Sequence, residues 1–563
     1  MLSARLYLAA VYLTLLAGCS TKPNPQAYLD AGGVSYLTNG WSPAERSEFY
    51  HLMEGSELMP YALVANLKSV KTGKPFLEDM ERFGFLPDAK SATNPYGVPV
   101  GMTVGRSRNA EAKGIEMVGF SCAACHSGEI TYKGKSMRID GAPGMIDLQG
   151  YQVEFQQSLD AVLKDPAALV ALAVAMEKTP PAESTAAYAD DPAVKKAGDV
   201  KSAPNADPSF HSISSQEADA AQPPPPPPGL LDRVKTDIAF LKARIAHIRN
   251  GKLLLDGTEP GPGRIDAFGA ARNLLFPKDA IKMQSPVSFP FIWNVPDTAQ
   301  QRNPGDEPRW IHYDGNTNSI LERNIGQALG MGAVFDPKTY ESTLRIGNLH
   351  RLEVLTHKLQ PPVWPADMLG AIDQAKAQKG EAIFKDKCEG CHQDKLYALT
   401  DVQTDPLRAN SFGQPVGKTP FPAAVSPILA GLKKRAFDDD GISAADQATM
   451  DANPVIWRAT GQYMARKLNG IWATAPYLHN GSVPTLYHLL HPEQRPARFL
   501  AGNREYDPAK VGFQSESSSV QVNVWAYDTT LPGNSNIGHS GAQFGTTLSE
   551  DDKTALIEFL KKY

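Results

Sequence analysis

A strong excess of positive or negative charge is missing from this chain. It carries 56 basic against 61 acidic side chains, a formal charge of −5, and that balance argues against a nucleic-acid binder. Long hydrophobic runs are missing too. The one apolar stretch near the start, Leu6 to Leu16, falls short of the ~20 residues that cross a bilayer. Cysteine is scarce, with five in 563 residues: Cys19, Cys122, Cys125, Cys388 and Cys391. Against these absences, 42% hydrophobic residues suffice for a core in each of two to four domains. Proline (45) and glycine (46) are abundant, so long irregular loops and little sheet are expected.

The amino terminus combines Arg5, the apolar stretch and Leu16-Ala17-Gly18-Cys19, a pattern that reads as an export signal. It resembles a bacterial lipoprotein signal. That resemblance implies cleavage after residue 18, lipidation of Cys19 and, since Ser20 is not aspartate, a periplasm-facing position on the outer membrane. Residues 19–41 then read as a polar tether. Ser42-Pro43-Ala44-Glu45 has the composition of a helix start: a capping serine, a proline in the first turn, and a glutamate three residues after the cap.

Residues 179–229 form a second interruption, rich in Ala, Asp, Ser and Pro and ending in the run Pro223 to Pro228. Such a composition buries too little apolar surface to order itself, and it reads as a solvated insertion. Behind it Leu231, Val234, Ile238, Leu241, Ile245 and Ile248 recur at helical spacing up to Gly251. His247 beside that stripe reads as structural. Ser549 followed by Glu550, Asp551 and Asp552 opens a last helix, with Leu556, Ile557 and Leu560 on its apolar face.

The chemistry lies in a motif that occurs twice, Cys122-Ala123-Ala124-Cys125-His126 and Cys388-Glu389-Gly390-Cys391-His392. Both have the C-x-x-C-H spacing of c-type haem attachment. Residues i and i+3 share a face of one helical turn, so two thiols can bond the two vinyl groups of one porphyrin, with the histidine beneath the iron. A structural zinc site and a thioredoxin-like redox pair also use C-x-x-C, yet neither needs the histidine that follows. Two covalently bound haem c groups are therefore expected, with His126 and His392 as iron ligands. No cysteine is left over for a disulfide. Lys379 to Phe384 lead into the second motif like the opening helix of a small cytochrome c domain.

With these motifs in place, most of residues 46 to 563 resembles the bacterial di-haem cytochrome c peroxidase superfamily, in particular the longer branch that includes the rubber oxygenases. The C-terminal markers are Leu468-Asn469-Gly470-Ile471-Trp472-Ala473-Thr474-Ala475-Pro476-Tyr477-Leu478-His479-Asn480-Gly481-Ser482 and Asn534-Ser535-Asn536-Ile537-Gly538-His539. The N-terminal markers are Gly55-Ser56-Glu57-Leu58-Met59-Pro60-Tyr61, Trp310-Ile311-His312-Tyr313-Asp314-Gly315-Asn316, and Glu322-Arg323-Asn324.

The resemblance implies a mainly α fold of two cytochrome c-type haem domains, residues 42–370 and 371–563, with long loops and little sheet. It implies a peroxidase-like oxidoreductase whose N-terminal haem meets peroxide or oxygen, while a six-coordinate C-terminal haem handles electrons. His539 is the matching second ligand of the C-terminal haem, with His479 as the alternative. His312 is a distal ligand, a proton shuttle or a hydrogen bonder. Trp310, Trp293, Phe289 and Phe291 wall the distal pocket, lie between the haems or belong to the core.

Expected partners are a small oxidant, a periplasmic electron-transfer protein and, through the lipid, a membrane. Bound calcium is compatible with this class, although no motif specifies a site. A tethered chain with an unmatched insertion argues against cleavage of an extracellular polymer, the rubber-oxygenase activity. A pure di-haem electron-transfer protein is the reading from another class.

Overall fold

The computed structural model describes residues 28–29, 34–109, 112, 115–180, 256–295, 308–516 and 523–563. The leader with Cys19, the insertion from residue 181 onward and the helix expected over 231–251 with His247 lie outside the described residues. No helix among the described residues is long and apolar enough to cross a membrane.

Helix α1 (Pro43–His51) starts where its sequence places it. The Ser42 hydroxyl accepts from the Glu45 amide at 3.3 Å, and the Glu45 carboxylate accepts from the Ser42 amide at 2.9 Å, so two otherwise orphaned donors are satisfied reciprocally. Burial begins earlier, inside the stretch read as a tether. Tyr36, Leu37 and Trp41 are buried, and Tyr36 pairs in parallel with Arg138. Ser42 marks the first helix and not the first core residue.

The N-terminal half is built around sheet, which corrects the expectation of a mainly α protein. Strands β1 (Met102–Arg106) and β2 (Glu116–Phe120) pair antiparallel, with Met59–Pro60 on the other edge of β2. Strands β3 (Ser127–Tyr132) and β4 (Lys135–Asp140) form a hairpin. Its two turn residues, Lys133 and Gly134, have φ of 51° and 75°, the positive values that match the twist of paired strands. Among the described residues the protein is mixed, 39% helical and 15% strand, with no closed sheet. Helix α2 (Leu148–Lys164) lays Tyr151, Phe155 and Leu159 against Phe76, Phe83 and Phe120, a four-residue spacing that keeps one face inward.

Helix α3 (Ile320–Gly330) carries Leu321, Ile325, Ala328 and Leu329 into a third core region. Helix α4 (Gln374–Lys387) leads into the second cysteine motif. After that motif, β5 (Lys395–Ala398) pairs antiparallel with β6 (Gln462–Ala465). The chain ends in α5 (Glu550–Lys562), capped by Ser549 as expected.

Helices α4 and α5 cross closely because position 380 is glycine. A Cβ there would collide with the Ala555 carbonyl, and Phe384 packs on Phe559 at 5.2 Å between ring centroids. Lys379 also reaches Asp551 and Asp552, but exposed pairs of this kind contribute only about 0.2–1 kcal/mol. Apolar contact therefore sets the crossing. The largest core region takes Trp41, Phe49 and Trp293 from before residue 370 and Phe384, Trp472 and Leu556 from after it. The two halves share this interior.

Candidate haem sites

The first motif sits between two strands. After β2, Cys122–Ala124 form a single 3₁₀ turn and Cys125 closes it, with His126 directly before β3. The turn is pinned from both sides. Gly101, at φ 80°, passes so near that a Cβ would collide with Ala124. Opposite it, the loop after β4 bonds back through Gly141 N to His126 O at 3.0 Å and Gly144 N to Cys125 O at 2.8 Å. That loop is held by buried Asp140, which accepts from Arg46 at 2.7 Å and Tyr50 at 2.6 Å.

The second motif follows the end of α4, where Cys388 is the cap residue, and Cys391 is exposed. The imidazoles of the two motifs are oriented alike. His126 Nδ1 lies 2.8 Å from the Pro290 carbonyl, and His392 Nδ1 lies 2.8 Å from the Arg466 carbonyl. A carbonyl only accepts, so each Nδ1 carries the proton and each Nε2 keeps its lone pair, the arrangement typical of metal-binding histidine. Burial holds both imidazoles below their ordinary range, His126 at about 3, which keeps them neutral donors.

Burial also pushes the thiols up, Cys125 to about 12 and Cys388 to about 11, with Cys122 likewise raised. All four described cysteines are unbridged. Zinc ligation and dithiol exchange draw on thiolates stabilised by nearby positive charge or metal, whereas burial disfavours the thiolate at Cys122, Cys125 and Cys388. Two unbridged thiols and one oriented Nε2 per motif fit covalent haem c. Elsewhere among the described residues, no group of three or more His, Cys, Asp or Glu converges on a metal position.

Cys122, Cys125 and His126 open into a mainly apolar cavity of about 250 Å³. Its walls include Phe268, Phe289, Phe291, Trp310, His312, Arg323 and Gln327. Trp310 is half-buried, with the Arg458 guanidinium 3.2 Å over its ring. Trp293 lies behind the wall, fully buried and stacked on Phe291 at 4.9 Å.

His312 has both nitrogens engaged. Arg323 Nε donates to Nε2 at 3.2 Å, which leaves the proton on Nδ1 to bond Asn316 Oδ1 at 2.6 Å. Burial and the Arg323 charge depress its pKa, so the ring is neutral and buttresses Arg323.

Two groups of the cavity wall, Arg323 and Gln327, and one buried behind it, Glu54, have no role assigned from the sequence. Arg323 and Gln327 stand on α3, one turn apart. Glu54 precedes the quoted Gly55 marker, is fully buried, and accepts from Gln327 at 3.0 Å and from the Cys122 thiol at 3.3 Å. The Glu322-Arg323-Asn324 marker was the available signal for this cluster.

Burial lifts Glu54 from an ordinary 4.5 to about 7, against the opposing Cys122 and Gln327 hydrogen bonds and the Arg323 charge. The folded chain thus holds a proton that the unfolded chain has released. The associated stability is full below the unfolded pKa and is lost as pH rises through the folded one. Between about pH 5 and about pH 7.5 the loss is on the order of 2 kcal/mol. Glu54→Gln should flatten that dependence. Denaturant midpoints of both proteins at the two pH values check it, and equal slopes would contradict it.

His539 is tied to the segment that follows the second motif, its N donating to the Val402 carbonyl at 3.2 Å. Burial holds the His539 imidazole at about 3, and the next influence on it is the charge of His392. Its Nδ1 is buried without a hydrogen-bond partner among the described residues. His539 sits at φ 48° in a loop whose Gly538 would collide with Thr404 if it carried a Cβ. His479 is occupied elsewhere. Its Nε2 meets the Tyr463 hydroxyl at 3.0 Å, their rings stack at 4.3 Å, and after burial the charges that depress it are Arg408 and Arg264.

Residues 461–500 match the family described as RoxA-like, cytochrome c-like. That stretch holds β6, Arg466 and the Leu468–Ser482 marker. The uncharacterized protein y4iM of Sinorhizobium fredii is 30% identical over 347 residues, covering 55% of this chain and 74% of y4iM. The chain belongs to the family of y4iM. The uncharacterized protein y4iJ of the same organism is 28% identical over 618 aligned residues, 94% of this chain and 93% of y4iJ. The RoxA-like match supports a relationship of this y4iM-family chain to the rubber-oxygenase-like cytochromes. It implies covalent haem c and is consistent with a haem-dependent oxidoreductase.

Proposed function

We propose that this chain is a di-haem c-type oxidoreductase in which the two irons do different work. The observation that carries the reading is an asymmetry. His126 and its thiols face an apolar cavity whose wall carries His312 with both nitrogens already engaged, whereas His539, its Nδ1 buried and without a partner among the described residues, lies near enough to His392 for the charge of one to act on the other. Haem c bound through the first motif supplies an iron that activates peroxide or oxygen, and haem c at the second supplies a one-electron carrier.

The chain's own residues do the rest. Four thiols hold the porphyrins, and the Pro290 and Arg466 carbonyls orient the imidazoles. Phe268, Phe289 and Phe291 keep water from the cavity, where Arg323 presents a fixed cation to whatever anionic charge develops. His312 and Asn316 hold Arg323 in place. Trp310, braced by Arg458, closes another wall.

Peroxidase-like turnover is the principal reading. The RoxA-like match favours dioxygen chemistry on an organic substrate as the second. Lipidation at Cys19 and a periplasm-facing position complete the proposal.

Arg323→Ala should slow reaction with hydrogen peroxide by about 10²-fold, the usual cost of losing a preorganised donor in a dry site, with the haem count unchanged. Stopped-flow mixing of reduced protein with peroxide reads it. If the wild type reacts no faster than a simple electron-transfer cytochrome, the enzymatic reading fails.

A further inference from the structure

The two motif histidines are joined through one residue outside both motifs. His392 Nδ1 donates to the carbonyl of Arg466 at 2.8 Å. The same residue's Nη1 donates to the carbonyl of Phe291 at 3.0 Å. The neighbouring peptide carbonyl, that of Pro290, accepts from His126 Nδ1 at 2.8 Å. An unbroken series of covalent and hydrogen bonds thus runs from one imidazole to the other.

The connection is well fixed. Arg466 directly follows β6, whose pairing with β5 places it opposite the segment leaving the second motif, and Asp394 N donates to the Ala465 carbonyl at 2.9 Å. Its guanidinium lies 3.8 Å from the centre of the Phe291 ring, which stacks on buried Trp293. A cation seated over an aromatic face and hydrogen-bonded to that residue's carbonyl is held in both position and orientation. Arg466 also lines the cavity of the first motif. It is near enough for its charge to act on His126.

We propose that Arg466 is a positioning residue shared by both haem sites, its main chain orienting His392 and its side chain orienting the Pro290-Phe291 segment that holds His126. Outer-shell partners of metal-binding histidine fix ring orientation and tune the metal, so one residue here adjusts two redox centres together, through its carbonyl at one and its guanidinium at the other. The inference rests on the two-haem reading above.

Its test is a pair of variants, Arg466→Gln and Arg466→Lys, studied as the full haem-loaded protein by spectroelectrochemistry, electron paramagnetic resonance and a pyridine haemochrome count. With two haems retained, Arg466→Gln should lower the midpoint potential of the first-motif haem, because loss of a nearby cation favours the ferric state. It should also shift the resonance of the second-motif haem, whose histidine rests on the same backbone.

Arg466→Lys keeps the charge and should restore the first potential towards the wild-type value. If the glutamine variant does not fold, Arg466→Met, which likewise removes the charge and the guanidinium donors, takes its place with the same two expected shifts. Two haems with only one site responding, or neither, overturns the shared role. Fewer than two haems in the wild type overturns the two-haem reading itself.

Discussion

Replacing Cys122 and Cys125 together by alanine should halve the haem content of the protein, from two haems per chain to one, with the second motif still loaded. The two thiols close one 3₁₀ turn pinned by Gly101 and Gly144, so their porphyrin attachments stand or fall together. The apolar walls of the cavity would then surround space, and large cavities in a core cost about 24 cal/mol per Å³. Marked loss of stability is expected alongside the lost haem. Cys388→Ala with Cys391→Ala should remove the other haem from a more exposed site. The pyridine haemochrome assay reads both cases, and two haems remaining in either double variant would sink the assignment.

The second large effect is expected at His539. His539→Ala should turn the second-motif haem from low-spin to high-spin and raise its potential, because losing an imidazole donor removes stabilisation of the ferric state. His479→Ala should leave that spin state unchanged, since His479 is committed to Tyr463 and lies against Arg408 and Arg264. Absorption spectra of the oxidised variants separate the two histidines, and the reverse order would move the sixth ligand to His479.

The parts legible in the sequence were those where local chemistry decides the outcome. The caps at Ser42 and Ser549 depend on residues three positions apart, and both helices start there. The two C-x-x-C-H runs carry their geometry in their own spacing. The strands around the first motif were missed because turn-rich composition hid them, although Lys133-Gly134 between alternating segments is a hairpin signal.

The acceptors of His126 and His392 left no trace at all. They are backbone carbonyls of Pro290 and Arg466, 164 and 74 residues from their donors, and a carbonyl is the same for every residue type. Glu54 was invisible for a related reason. A buried carboxyl is recognised by its surroundings, here a thiol, an amide and a guanidinium brought in from distant segments. His312 stood out by residue type, yet its fate was set by Arg323 and Asn316 occupying both nitrogens.

The most direct measurement of the division of labour is the number of carbon monoxide molecules bound per fully reduced chain, read against the haem count of the same sample. One carbon monoxide for two haems is predicted, bound at the site of His126. Two would mean that His539 leaves the second iron open, and none, with both haems present and six-coordinate, would contradict an open catalytic iron and leave an electron carrier.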